Sequence, residues 1–251
     1  MDHVASFCAD MFAVVSCCQE VVDGYAFQHL VRHVAGRQPG SMYIEGPGLK
    51  QMFGRRGVSG LGHELDTAVQ FATWVAIIES KSLRVGPSKN DVLIFDGKTL
   101  DLYVDRVLNS RRGPHFRFLV SRTPIPGGVA GFALLRGIIC ISPERLPLPL
   151  LLAEISAAPK QLFSESQKEE AREVFSDACR PMEDLWAVRG GEMRTSIRRF
   201  RRGASQHAVH LHEELSVRLM HHPDSRDPTW ANRRARWLVS RLDVTPREAA
   251  A

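Results

Sequence analysis

The stretch His63 to Ser82, HELDTAVQFATWVAIIESKS, decides the fold. It divides into two strand-like runs, HELDTAVQF and WVAIIESKS, around a tight turn at Ala72-Thr73. β-Branched and aromatic residues dominate the second run, and its apolar side chains occupy both faces as far as Ile78, the pattern of a central hairpin. Polarity then returns abruptly with Glu79 and Lys81. Side chains two apart on a strand share a face, so these two point the same way, and pairing across the turn brings Asp66 beside Glu79.

Two carboxylates side by side in a partly apolar sheet repel each other, and one pKa rises unless a cation sits between them. Hard oxygen donors of this kind suit Mg²⁺ or Mn²⁺. A lysine one strand step away can steady a water or hydroxide and balance charge, which is machinery for phosphodiester hydrolysis. On strand geometry alone, Glu-x-Lys is equally a solvent-facing ion pair worth about 0 to 1 kcal/mol.

Upstream of the hairpin, Val22, Ala26, Leu30 and either His33 or Val34 recur at helical spacing, predicting an amphipathic helix over 19–35 that ends before Gly36 and Pro39. The residues before it extend that helix or form another. A Gly-rich region over 40–62 follows, read as a long loop or as a short strand near Ser41 to Glu45. Downstream, Lys89 to Leu108 has apolar residues every three or four positions and reads as a helix despite Gly97. HFRFLV (115–120) reads as a strand, 125–136 as a short helix opened by Pro126, and GIICIS (137–142) as a further strand. The apolar, Pro-punctuated segment after it covers the sheet, with a helix beginning in 148–155.

This order, with Asp66 on one strand and Glu79-x-Lys81 on the next, resembles the PD-(D/E)xK, or restriction-endonuclease-like, nuclease superfamily over about residues 19–142. The resemblance implies an α/β fold: a mixed central sheet of four to five strands flanked by helices, in the order α-β-β-β-α-β-α-β. It implies a catalytic set of Glu20, Asp66, Glu79 and Lys81, in which Asp66, Glu79 and Glu20 bind Mg²⁺, or Mn²⁺, and Lys81 orients or stabilises the attacking water. Glu20 stands for the family's first-helix acid, with Asp23, Glu45 and Glu64 as rivals for that place. Leu65 stands where many members carry a proline.

The implied domains are a nuclease core over 1–158 and a helical, partly basic extension over 159–251. The extension carries Arg194, Arg198, Arg199, Arg201 and Arg202, suited to phosphate contacts without base selectivity or to a solvated basic face. Gln70, Lys89 and Lys98 are further candidates for nucleic-acid contact, each equally readable as an ordinary polar residue of its strand or helix. DNA is the expected substrate, with RNA as the alternative. A second reading keeps the fold as an inactive nucleic-acid-binding or protein-interaction module. A third makes it a partner-dependent effector, with the C-terminal helices serving a homodimer or another protein.

Composition narrows the rest. The 251 residues carry 33 Lys plus Arg against 28 Asp plus Glu, a formal +5, which fits a polyanionic partner without requiring one. No apolar run is long enough for a membrane span, no basic-then-apolar leader opens the chain, and five cysteines without a CxxC pair read as reduced thiols, so the expectation is a cytoplasmic protein. No GxxxxGK[ST] motif and no nucleophile elbow are present. His207, His210 and His212 lack the spacing and partner cysteines of a zinc site.

Overall fold

The computed structural model describes residues 2–17, 19–20, 23–44, 59, 63, 65–104, 113–184 and 202–221. Glu45, Glu64, Arg194, Arg198, Arg199 and Arg201 lie outside the described residues, as does the candidate helix after Trp230.

Five strands form one open sheet in chain order: β1 (Ser41–Ile44), β2 (Thr67–Phe71), β3 (Val75–Lys81), β4 (His115–Ser121) and β5 (Ile138–Ile141). β1, β2 and β3 are antiparallel neighbours, whereas β3, β4 and β5 run parallel, so the sheet is mixed and the architecture α/β. The helices are α1 (Asp2–Cys17), α2 (Gly24–Gly36), α3 (Lys89–Val104), α4 (Gly127–Leu134), α5 (Leu148–Ala157), α6 (Glu165–Phe175) and α7 (Arg202–His221).

Parallel neighbours require crossovers, and α3 and α4 supply them. Crossovers of one hand stepping in one direction must lie on one face of a sheet. Accordingly, Val92, Phe95 and Leu102 of α3 and Val129, Ala130 and Ala133 of α4 pack with Val75, Ile77, Leu119 and Ile138. The opposite face, with Ala76, Ile78, Phe118, Val120 and Ile139, is covered by α1, α2 and α5 in a larger cluster. β3 and β4 are therefore buried on both sides, which explains the continuous apolar run up to Ile78. Phe163, Ala171, Phe175, Ala208 and Leu215, all from the segment expected as an extension, join the same larger cluster.

Two element starts differ from the expectation. The helix predicted over 19–35 starts at Gly24, because Asp23 caps it: its carboxylate accepts the Tyr25 and Ala26 N–H groups at 2.7 and 3.0 Å. A separate α1 precedes it. β2 begins at Thr67 rather than His63, since the Asp66 carboxylate, not a main-chain carbonyl, accepts the Ser80 N–H at 2.7 Å and the ladder stops there. At the other end of the hairpin, Gly113 (φ +90°) lets the chain entering β4 press on the turn. A Cβ there would lie 2.2 Å from the Thr73 carbonyl oxygen, so only glycine fits.

Candidate active site

The polar end of the hairpin forms the site. β2 and β3 pair with Thr67 opposite Ile78, so the next step places Asp66 opposite Glu79 on the face covered by α3. Glu79 is only 3% exposed, and a buried carboxylate is tolerable only when paired. Two ammonium groups pair it. Lys81 Nζ lies 3.0 Å from Oε1, and Lys98 Nζ, reaching in from α3, lies 2.9 Å from Oε2 and 3.2 Å from Oε1. Asp91, in the first turn of α3, approaches Lys81 at 3.6 Å.

Asp91, Phe95, Lys98 and Leu102 follow helical spacing along one stripe of α3, with Phe95 and Leu102 fully or nearly buried between and beyond the two charges. The depth of α3 is fixed by a buried network one position away. Asp96 accepts from Arg117 Nη1 at 2.6 Å and from Arg136, while Arg117 also donates to Thr99 Oγ1 at 3.0 Å. The loop into α3 is held as well. Arg122 donates to Ser82 Oγ at 3.0 Å, to the Leu83 carbonyl at 2.9 Å and to the Gln19 carbonyl at 2.8 Å, tying the β3 exit to the α1–α2 turn.

Charges in the site shift one another. Burial, and after it the Glu79 charge, push the Asp66 carboxyl above its ordinary range, against the Ser80 N–H and the two lysines. Burial pulls the Lys81 ammonium down, but Glu79, Asp91 and Asp66 outweigh it and raise it, so Lys81 is a cation and a hydrogen-bond donor at neutral pH rather than a base. For Asp91, burial is overcome by the Ser88 hydrogen bonds and by Lys81, and its carboxyl is lowered.

The structure thus brings together Asp66, Glu79 and Lys81 and adds Lys98, but it does not support every expected residue. Glu20 is exposed in the turn after α1, not on a helix, because the helix start is displaced to Gly24. Asp23, its rival, is used as a helix cap. Gln70 is buried and donates to the Phe71 and Trp74 carbonyls at the far end of the hairpin. Lys89 is exposed at the first turn of α3, and Arg202 opens α7 with its side chain outside the described residues.

No family model, curated protein or solved structure matches this chain.

Two participants were not singled out from sequence. Asp91 is visible only as a position seven before Lys98 on one helix stripe. Arg32 of α2 donates from Nη2 to the Asp66 carbonyl at 2.9 Å, and it is α2's own contribution to this corner. Nothing in the local pattern HLVRHVA distinguishes it from a solvated arginine. Among the described residues, no group of three or more His, Cys, Asp or Glu converges as a metal cage. Burial pushes the Cys140 and Cys179 thiols up to about 12, far from a reactive thiolate.

Proposed function

We propose that this chain is a restriction-endonuclease-like nuclease that hydrolyses phosphodiester bonds in DNA with the help of Mg²⁺ or Mn²⁺. The observation that carries the reading is the meeting of Asp66 with a buried Glu79-x-Lys81 at one end of a mixed sheet. A mixed five-stranded sheet flanked by helices is compatible with the architecture that the superfamily resemblance implies.

The donor set fits a hard divalent cation. Asp66 is raised by burial and by Glu79, which is electrostatic stress that a cation between the two would relieve. Bound there, the metal would act as a Lewis acid on a phosphate oxygen and lower the pKa of a water. The protein's own residues do the rest. Lys81, kept protonated by its acidic neighbours, donates hydrogen bonds to the attacking water or to the phosphate oxygens as their negative charge grows. Asp91 also holds Lys81, at 3.6 Å. The Asp96–Arg117 network and Arg32 keep α3 and the Asp66 backbone in place, so that little reorganisation accompanies the reaction.

The test is incubation of purified protein with linear duplex, single-stranded and supercoiled DNA, and with RNA, in Mg²⁺, Mn²⁺ or EDTA. Cleavage of DNA in either metal and none in EDTA is expected. Cleavage that proceeds equally in EDTA rejects the metal-assisted reading. Binding of DNA without cleavage of any substrate assigns the chain instead to the inactive nucleic-acid-binding class.

A further inference from the structure

Ser59, His63 and Asp101 meet at the C-terminal half of α3, outside the set described above. Asp101 Oδ2 lies 2.6 Å from His63 Nε2 and accepts from Ser59 Oγ at 2.6 Å, while Oδ1 accepts the Ser59 N–H at 2.8 Å. The Ser59 hydrogen bonds, and after them His63, hold the Asp101 carboxyl below its ordinary range, so it is a carboxylate that only accepts. His63 Nε2 therefore carries hydrogen, and Nδ1 has no partner among the described residues. The His63 side chain is 19% exposed. A carboxylate that fixes an imidazole's tautomer and stabilises its cation leaves the far nitrogen ready to give or take a proton. Two ties place this pair beside Asp66 and Glu79. Asp101 is one turn beyond Lys98, whose ammonium bonds Glu79, and residues three apart on a helix are neighbours. His63 also precedes Asp66 by three residues, and that length of extended chain reaches at most about 11 Å.

Resting on the nuclease reading, we propose that His63 is a further catalytic residue, the general acid for the leaving oxygen. As the oxygen of water bonds to phosphorus, the bond from phosphorus to one bridging oxygen breaks and its electron pair stays on that oxygen. His63, in its cationic form, gives the leaving oxygen its Nδ1 proton, keeps Nε2–H on Asp101 and becomes neutral. The attacking water loses one proton to solvent and His63 regains one from solvent, so diester and water yield a phosphate monoester and an alcohol. A residue that merely fastened this part of the chain to α3 would leave the proton requirement of the leaving group unchanged when replaced.

The experiment compares single-turnover cleavage in Mn²⁺ of two DNA substrates that differ at one atom, by wild type and by His63→Gln. One is ordinary DNA. In the other, the bridging oxygen that wild type expels, identified from its products, is replaced by sulfur, and a thiol is acidic enough to leave as its anion. Glutamine keeps an N–H for Asp101 but has no proton to transfer. His63→Gln is expected to cleave the oxygen substrate about 100-fold more slowly than wild type and the sulfur substrate at nearly the wild-type rate. The ratio of the two rates in one sample does not depend on how much of that sample is folded. An equal loss on both substrates, or no loss on the oxygen substrate, overturns the proposal and leaves the nuclease reading standing. A wild type that cleaves neither substrate overturns both.

Discussion

Acidification should loosen the last described helix from the core, and His212 sets the size of the effect. His212 lies on α7, is 6% exposed, meets the Leu146 carbonyl at 2.6 Å through Nε2 and stacks edge-on against Phe175. Burial, with Arg145 adding to it, lowers its pKa to about 4 despite the Leu146 hydrogen bond. In an unfolded chain the same group titrates near 6.5. Between these values the unfolded state binds more protons than the native state, so stability is complete above about pH 6.5 and falls as the pH drops toward 4. The loss approaches about 3 kcal/mol at full protonation and is about 2 kcal/mol at pH 5. Urea unfolding of wild type and His212→Gln at pH 7.5 and pH 5.0 isolates this contribution, because other titrating groups are common to both proteins. Glutamine retains a donor for the Leu146 carbonyl. The stability of wild type relative to the variant is predicted to fall by about 2 kcal/mol on acidification, and a difference that does not change with pH refutes the reasoning.

The buried network behind α3 should be intolerant of half-removal. Asp96→Ala leaves Arg117, 1% exposed, without its carboxylate and is expected to cost about 3–5 kcal/mol in urea unfolding, with much of that recovered in Asp96→Leu/Arg117→Met. Asp66 should show a conflict between stability and activity. The fold disfavours its charged form, so its contribution to stability declines as the pH rises from the ordinary carboxylate value through the raised one, and Asp66→Asn should raise the urea midpoint at pH 7 in EDTA while abolishing cleavage. A lowered midpoint contradicts this. Arg32→Gln should reduce kcat about 10- to 100-fold with little change in stability, since it loosens the Asp66 backbone rather than removing a ligand. Steady-state kinetics beside thermal melting check it.

The sheet was legible because its strands differ sharply from what surrounds them. The run Trp74–Ile78 is apolar on both faces and could only be a central strand, and Pro126 and Gly137 marked the short α4 between β4 and β5. The pairing of Asp66 with Glu79 followed from counting residues across a two-residue turn. Boundaries set by side-chain hydrogen bonds were not legible. Asp23 as a cap displaced Glu20 from the helix, and the Asp66–Ser80 bond shortened β2, because Asp and Glu look alike in a pattern whether they cap, pair or coordinate. Gln70 matched the Asp66 face by parity, but the tight turn drew its amide inward to main-chain carbonyls. Lys98 was visible as a basic residue on a helix. Its engagement with Glu79 depends on how deeply α3 sits, which Asp96 and Arg117 decide from separate parts of the chain.

The central claim is that Asp66 and Lys81 take part directly in metal-assisted phosphodiester hydrolysis. The most direct measurement compares DNA cleavage in Mg²⁺ by wild type, Asp66→Ala and Lys81→Ala, with circular dichroism confirming that each variant is folded. A loss of about 10²–10³ or more in rate for both substitutions is predicted, and cleavage that survives both contradicts the account.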